Sequence, residues 1–142
     1  MAGSATTTVT NVAGGGGVKK TAIAWVSDAS GNVSGNSIAM SPGSVVMVEF
    51  IPAAGGSAPT DLYDLDFLDT NGTSMFDDGA GASIGANLSA TLATHRAPFI
   101  NGAPTTYVRA WLRGGTGYQL TVVNAGNAKG GNVNIFQVPG VL

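Results

Sequence analysis

Apolar residues recur at every second position through much of the chain. From Val18 to Ser27, Ile23 and Trp25 fall on one side, with Ala22, Ala24 and Val26 on the other. Leu62 to Asp69 alternates more sharply, with Tyr63, Leu65 and Phe67 pointing one way and Asp64 and Asp66 the other. A period of two marks a strand with one wet face. Ser44 to Ile51 is apolar on both sides except at Glu49, which predicts a central strand. Val33–Met40 is a poorer strand. Thr105–Leu112, Tyr118–Asn124 and Val133–Val138 supply the strands of the last third.

Turn residues punctuate these runs. Asp28 to Asn32, Ser41-Pro42-Gly43, Pro52 to Pro59, Gly114-Gly115 and Asn124 to Gly131 all read as loops or breakers. Asp69-Thr70-Asn71-Gly72 predicts a hairpin turn, since Asn-Gly tolerates positive φ twice, with Thr73 to Phe76 as the return strand. Residues 77–95 have the weakest pattern. Ile84, Leu88 and Leu92 permit a short helix there, against Gly79, Gly81 and Gly85. About eight short strands and little helix predict an all-β fold, an antiparallel β-sandwich. The pattern suits a jelly roll and an immunoglobulin-like order equally.

The N-terminus is set off from this body. Ala5 to Val12 is rich in β-branched residues, and Gly14 to Gly17 is a run of four glycines. The expected organisation is a flexible N-terminal arm with its glycine joint over residues 1–17 and a β-sandwich domain over 18–142. The arm's Thr7, Val9 and Val12 are candidates for docking on a neighbour's sheet edge. Met1 to Val12 lacks the basic cluster and apolar run of a secretory signal. No run of about 18 apolar residues occurs, so no membrane partner is expected.

Composition narrows the function. Of 142 residues 22 are Gly, none is Cys and only 10% are charged, with a formal net charge of −2. Without a basic surplus a nucleic-acid partner is not expected. A surface so poor in charge is weakly defended against association, which points to a subunit. His95 is the only histidine and Glu49 the only glutamate, leaving little general acid–base material. The expectation is a protein that is not an enzyme and has no cofactor.

Individual motifs carry little chemistry. Asp64, Asp66 and Asp69 precede Asn71-Gly72 and resemble a calcium-binding run, but Leu68 stands where a ligand belongs and no Glu closes the loop. The default is a solvated strand face with no metal. Gly79 to Gly85 has the spacing G-x-G-x-x-x-G, one residue off a dinucleotide loop and outside any βαβ unit. Trp25 shares a face with Ile23 and reads as core. Tyr107, Arg109, Trp111 and Arg113 form a better surface row, because aromatic and Arg side chains anchor interfaces. Such a row suits a neighbouring subunit and also a glycan, which keeps a carbohydrate-binding module as the alternative.

Several stretches resemble small virion proteins of tailed bacteriophages. They are Pro59 to Leu65, Leu68 to Gly72, Gly79 to Ala82 and Val122 to Gly131. Together, across about residues 44–138, they are similar to the head decoration, or cement, proteins of short-tailed phages. The resemblance implies a jelly-roll-like sandwich, commonly a homodimer, seated on the capsid exterior across the junctions of the major capsid protein. It implies assembly in the host cytoplasm and contributes no catalytic residue. A tail or neck component is the alternative within the virion.

Overall fold

A computed structural model describes residues 2–12, 14, 16–76, 85–96, 99–101, 107–109 and 111–139; at 94–96, 99–101, 107–109 and 111 the description covers the backbone alone. The chain is all-β, an antiparallel sandwich of two sheets, with no α-helix among the described residues. Its strands are β1 (Ser4–Asn11), β2 (Lys19–Val26), β3 (Ile38–Met40), β4 (Gly43–Pro52) and β5 (Asp64–Leu68). They are followed by β6 (Thr94–Arg96), β7 (Phe99–Asn101), β8 (Tyr107–Arg109), β9 (Trp111–Leu112), β10 (Gly115–Val123) and β11 (Gly130–Val138). The larger sheet runs β1-β2-β11-β4-β6, with β9 also paired to β4, and the smaller runs β3-β10-β5. β7 and β8 form a separate ribbon.

The core lies where the two inner faces meet. Ile23 and Trp25 of β2, Val48 and Phe50 of β4, and Val133 and Ile135 of β11 are buried against Leu65 and Phe67 of β5 and Leu120 and Val122 of β10. Aromatic rings lock the layers in offset and edge-on arrangements. Tyr118 stacks on Phe67 at 5.6 Å, Phe76 meets Phe50 edge-on at 5.5 Å, and Trp25 tilts onto Tyr63 at 5.7 Å. The alternation in β5 and the central place of β4 both agree with the sequence pattern. Glu49, the polar position of β4, accepts a hydrogen bond from Asn134 Nδ2 at 2.7 Å on the sheet's outer face.

Two segments differ from their sequence reading because side chains and close approaches outrank the pattern. Val33–Met40 is strand only at 38–40, with one isolated bridge from Val33 to Val122. Between them the Asn36 amide takes the backbone's place: its Nδ2 donates to the Leu120 carbonyl and its Oδ1 accepts from the Leu120 N–H. The expected helix around 84–92 is absent at 85–92, while Ile84 lies outside the described residues. Leu88 instead bridges Tyr63, and Gly85 passes so close to β5 that a Cβ there would overlap the Leu65 carbonyl oxygen.

The N-terminal segment also departs from expectation. Residues 4–11 do not stand off as a flexible arm; β1 pairs antiparallel with β2 along its whole length, from Ser4 opposite Val26 to Asn11 opposite Lys19. The glycine run serves as the loop of this hairpin. Gly14, Gly16 and Gly17 adopt positive φ, which glycine alone takes without strain, and this reverses the chain within a few residues. The β-branched sequence of β1 thus finds its partner within its own chain.

Candidate interaction surface

The described residues divide the expected contact set among β1 at one margin of the larger sheet, β9 beside β4 with Arg113 after it, and the separate β7–β8 ribbon. Thr7 and Val9 lie on β1, the terminal strand, opposite Ile23 and Thr21. Both are exposed, Val9 by 48%, and so is Val12, whose N–H donates to the Val18 carbonyl. Their β2 partners are buried beneath the smaller sheet, and β3 of that sheet approaches β1 as well. Of the β1 residues only Ala5 is partly buried on the core; the others are exposed.

The second group is split in turn. The expected strand Thr105–Leu112 is divided between two pairings. Tyr107 and Arg109 belong to β8, opposite Asn101 and Phe99 of the ribbon, whereas Trp111 belongs to β9, opposite Ser44 of β4. The side chains of these three lie outside the described residues. Arg113 follows β9 with an exposed side chain, and its N–H donates to the Tyr118 hydroxyl at 3.2 Å. Between β1 and β9 lie β2, β11 and β4, so four strand spacings of about 4.8 Å separate β1 from β9 by roughly 19 Å.

The acidic residues that suggested calcium are engaged in fixing the backbone. Asp64 accepts from the Asn87 N–H at 2.8 Å and from Asn124 Nδ2 at 3.1 Å. Asp66 accepts from Ser74 Oγ at 2.6 Å and from the Phe67 N–H. Asp69 organises the hairpin turn, accepting from the Asn71 and Thr73 N–H groups, and the Thr73 bond above all holds its carboxyl below the usual carboxylate range. Of the Asn-Gly pair only Gly72 takes positive φ, so the turn is set by Asp69 more than by Asn71. Among the described residues no group of three or more His, Cys, Asp and Glu converges to hold a metal. A shallow cleft of about 90 Å³ lies on this face between Asp64, Asp66 and Thr121.

The sequence reading missed one juxtaposition. Glu49 and His95, the only residues of their types, are directly opposed in the β4–β6 register, with Asn134 next in line on β11. Strand pairing across 46 positions has no local signal, so nothing in the sequence could have placed them together. Trp25 is 2% exposed and is no platform for a sugar ring. Tyr63 is likewise interior, and burial pushes its phenol up to about 12. No family model matches the chain, and neither a curated protein nor a solved structure does.

Proposed function

We propose that this chain is a virion structural protein that sits on the outside of a capsid and ties neighbouring shell subunits together, without catalysis or cofactor. The observation that carries the reading is the separation of two contact margins on one rigid sheet. A bridging protein has to touch two neighbours at once, shell subunits or its own twin, and here the uncharged edge of β1 and the short strand β9, which carries Trp111, lie on opposite sides of the β2-β11-β4 layer. The accessible surface of 7205 Å² leaves room for several contacts of about 800 Å² per partner. Individually weak contacts become durable when repeated over a shell.

A jelly-roll order is part of this proposal. Its support is that the chain changes sheet from β2 to β3, from β3 to β4, from β4 to β5 and again from β10 to β11. Successive strands cross between layers, as when a long antiparallel ribbon is rolled up.

The test is a density gradient of empty particles mixed with the purified chain. The full chain co-sediments with the particles in near-stoichiometric ratio to the major capsid protein. A chain lacking residues 1–17 binds at least tenfold more weakly. A full chain that stays at the top of the gradient overturns the capsid assignment.

A further inference from the structure

The free side of β1 is a complete, unblunted strand edge. The Val12 N–H bond to the Val18 carbonyl makes 12/18 a hydrogen-bonded pair, so 10/20, 8/22 and 6/24 follow in alternation. The other side of β2 agrees, since the Ser27 N–H donates to the Lys129 carbonyl and the odd residues of β2 therefore serve β11. It follows that Ala5, Thr7, Val9 and Asn11 turn their N–H and C=O groups away from β2. Among the described residues nothing is hydrogen-bonded to them there. Sheet edges are normally protected by Lys, Pro, bulges or shortness. β1 is eight residues long, has no charge and no proline, and pairs without a register shift.

We propose that this edge is occupied by β1 of a second copy, making one continuous antiparallel sheet across a two-fold axis at Thr8. Outward-turned residues must oppose outward-turned residues, and one register matches all four of them: Ala5 with Asn11, Thr7 with Val9, and the reverse of each. In the same register Thr6 faces Thr10 and Thr8 faces its own copy on the outer face. Thr–Thr and β-branched pairs are favourable neighbours across antiparallel strands. On the inner face the exposed Thr7 and Val9 of each copy cover one another.

Charge selects this occupant over a foreign strand of either sign. β1 presents no charge to complement, and the charged residues of its partner strand β2, Lys19 and Lys20, stand opposite one end of it. The two-fold places the two lysine pairs at opposite ends of the seam, so they do not repel. An eight-residue seam is about 27 Å long and covers less than the roughly 800 Å² per partner of a standard interface. The pairing is therefore reversible and concentration-dependent. With β1 so occupied, each copy keeps its β9 side for a shell subunit, and the dimer bridges the shell through its two copies.

The chain has no cysteine, which makes a direct test available. Residue 8 bonds to β2, so across the two-fold Thr8 and its copy form a non-hydrogen-bonded pair with Cα atoms about 4.5 Å apart, within disulfide range. Thr8→Cys oxidises to a covalent dimer, whereas Thr10→Cys, about 13 Å from its copy, does not. Sedimentation equilibrium from about 1 to 500 µM shows the wild type dimerising, and Val9→Lys weakens this at least tenfold with an unchanged melting temperature. Three outcomes overturn the proposal: a wild type monomeric over that range, Thr10→Cys crosslinking as readily as Thr8→Cys, or a Val9→Lys dimer of undiminished affinity. A monomer whose Val9→Lys form loses particle binding assigns the edge to a shell strand instead.

Discussion

β11 and β1 belong to the same sheet and have nearly the same length, nine and eight residues, yet they are held by different forces. β11 is paired on both sides, by β2 and β4, and buries Val133 and Ile135 in the core. β1 is paired on one side, and seven of its eight residues are exposed. Burial of apolar side chains fixes β11, whereas a hydrogen-bond ladder and the hairpin loop hold β1. Both sequences are rich in residues that favour strands, so strand propensity alone does not distinguish a central strand from a margin. What distinguishes them is whether a second layer lies beneath.

Substitutions sharpen this contrast. Trp25→Ala empties a site between the layers and should cost about 3–5 kcal/mol in denaturant unfolding; a loss under 1 kcal/mol would mean that the two sheets are not packed as described. A smaller effect should appear at high pH. The Tyr63 phenol is raised from 10.0 to about 12 in the fold, so the folded chain keeps a proton that the unfolded chain releases. Stability is full below pH 10 and falls as pH rises towards 12. Tyr63→Phe should move the alkaline unfolding midpoint upward, and an unmoved midpoint would refute the burial of that hydroxyl. Least of all, Thr7→Ala on β1 should change monomer stability by under about 0.5 kcal/mol, read at low protein concentration. A cost approaching that of Trp25→Ala would place β1 inside the core.

The sequence made the layered body legible because each inner-face strand writes its environment locally. Tyr63, Leu65 and Phe67 alternate with Asp64 and Asp66, and the apolar run around Val48 and Phe50, broken only at Glu49, marks a strand with neighbours on both sides. The glycine run was the point of failure. Four glycines read equally well as a joint or as a hairpin loop, and the choice depends on β2 lying where β1 can reach it. Asn36 replacing backbone in the ladder, and Gly85 pressed against Leu65, are likewise decided by partners distant in sequence. For the candidate surface, the residues of β1 were legible as strand-forming and uncharged, but not as an edge. The opposition of Glu49 and His95 was invisible, since register between β4 and β6 has no sequence mark.

The place of β11 has a consequence for how the chain reaches its fold. Among the described strands, the one at the middle of the larger sheet is made last, and Asn134 meets Glu49, which lies 85 positions earlier, only once the chain between them has emerged. Until then β2 and β4 are both unpaired along the sides that β11 will join, and the inner apolar rows have no finished partner layer. Such long-range pairing makes folding slow and keeps sticky intermediates alive. The fold closes only when β11 slides between the two strands that await it.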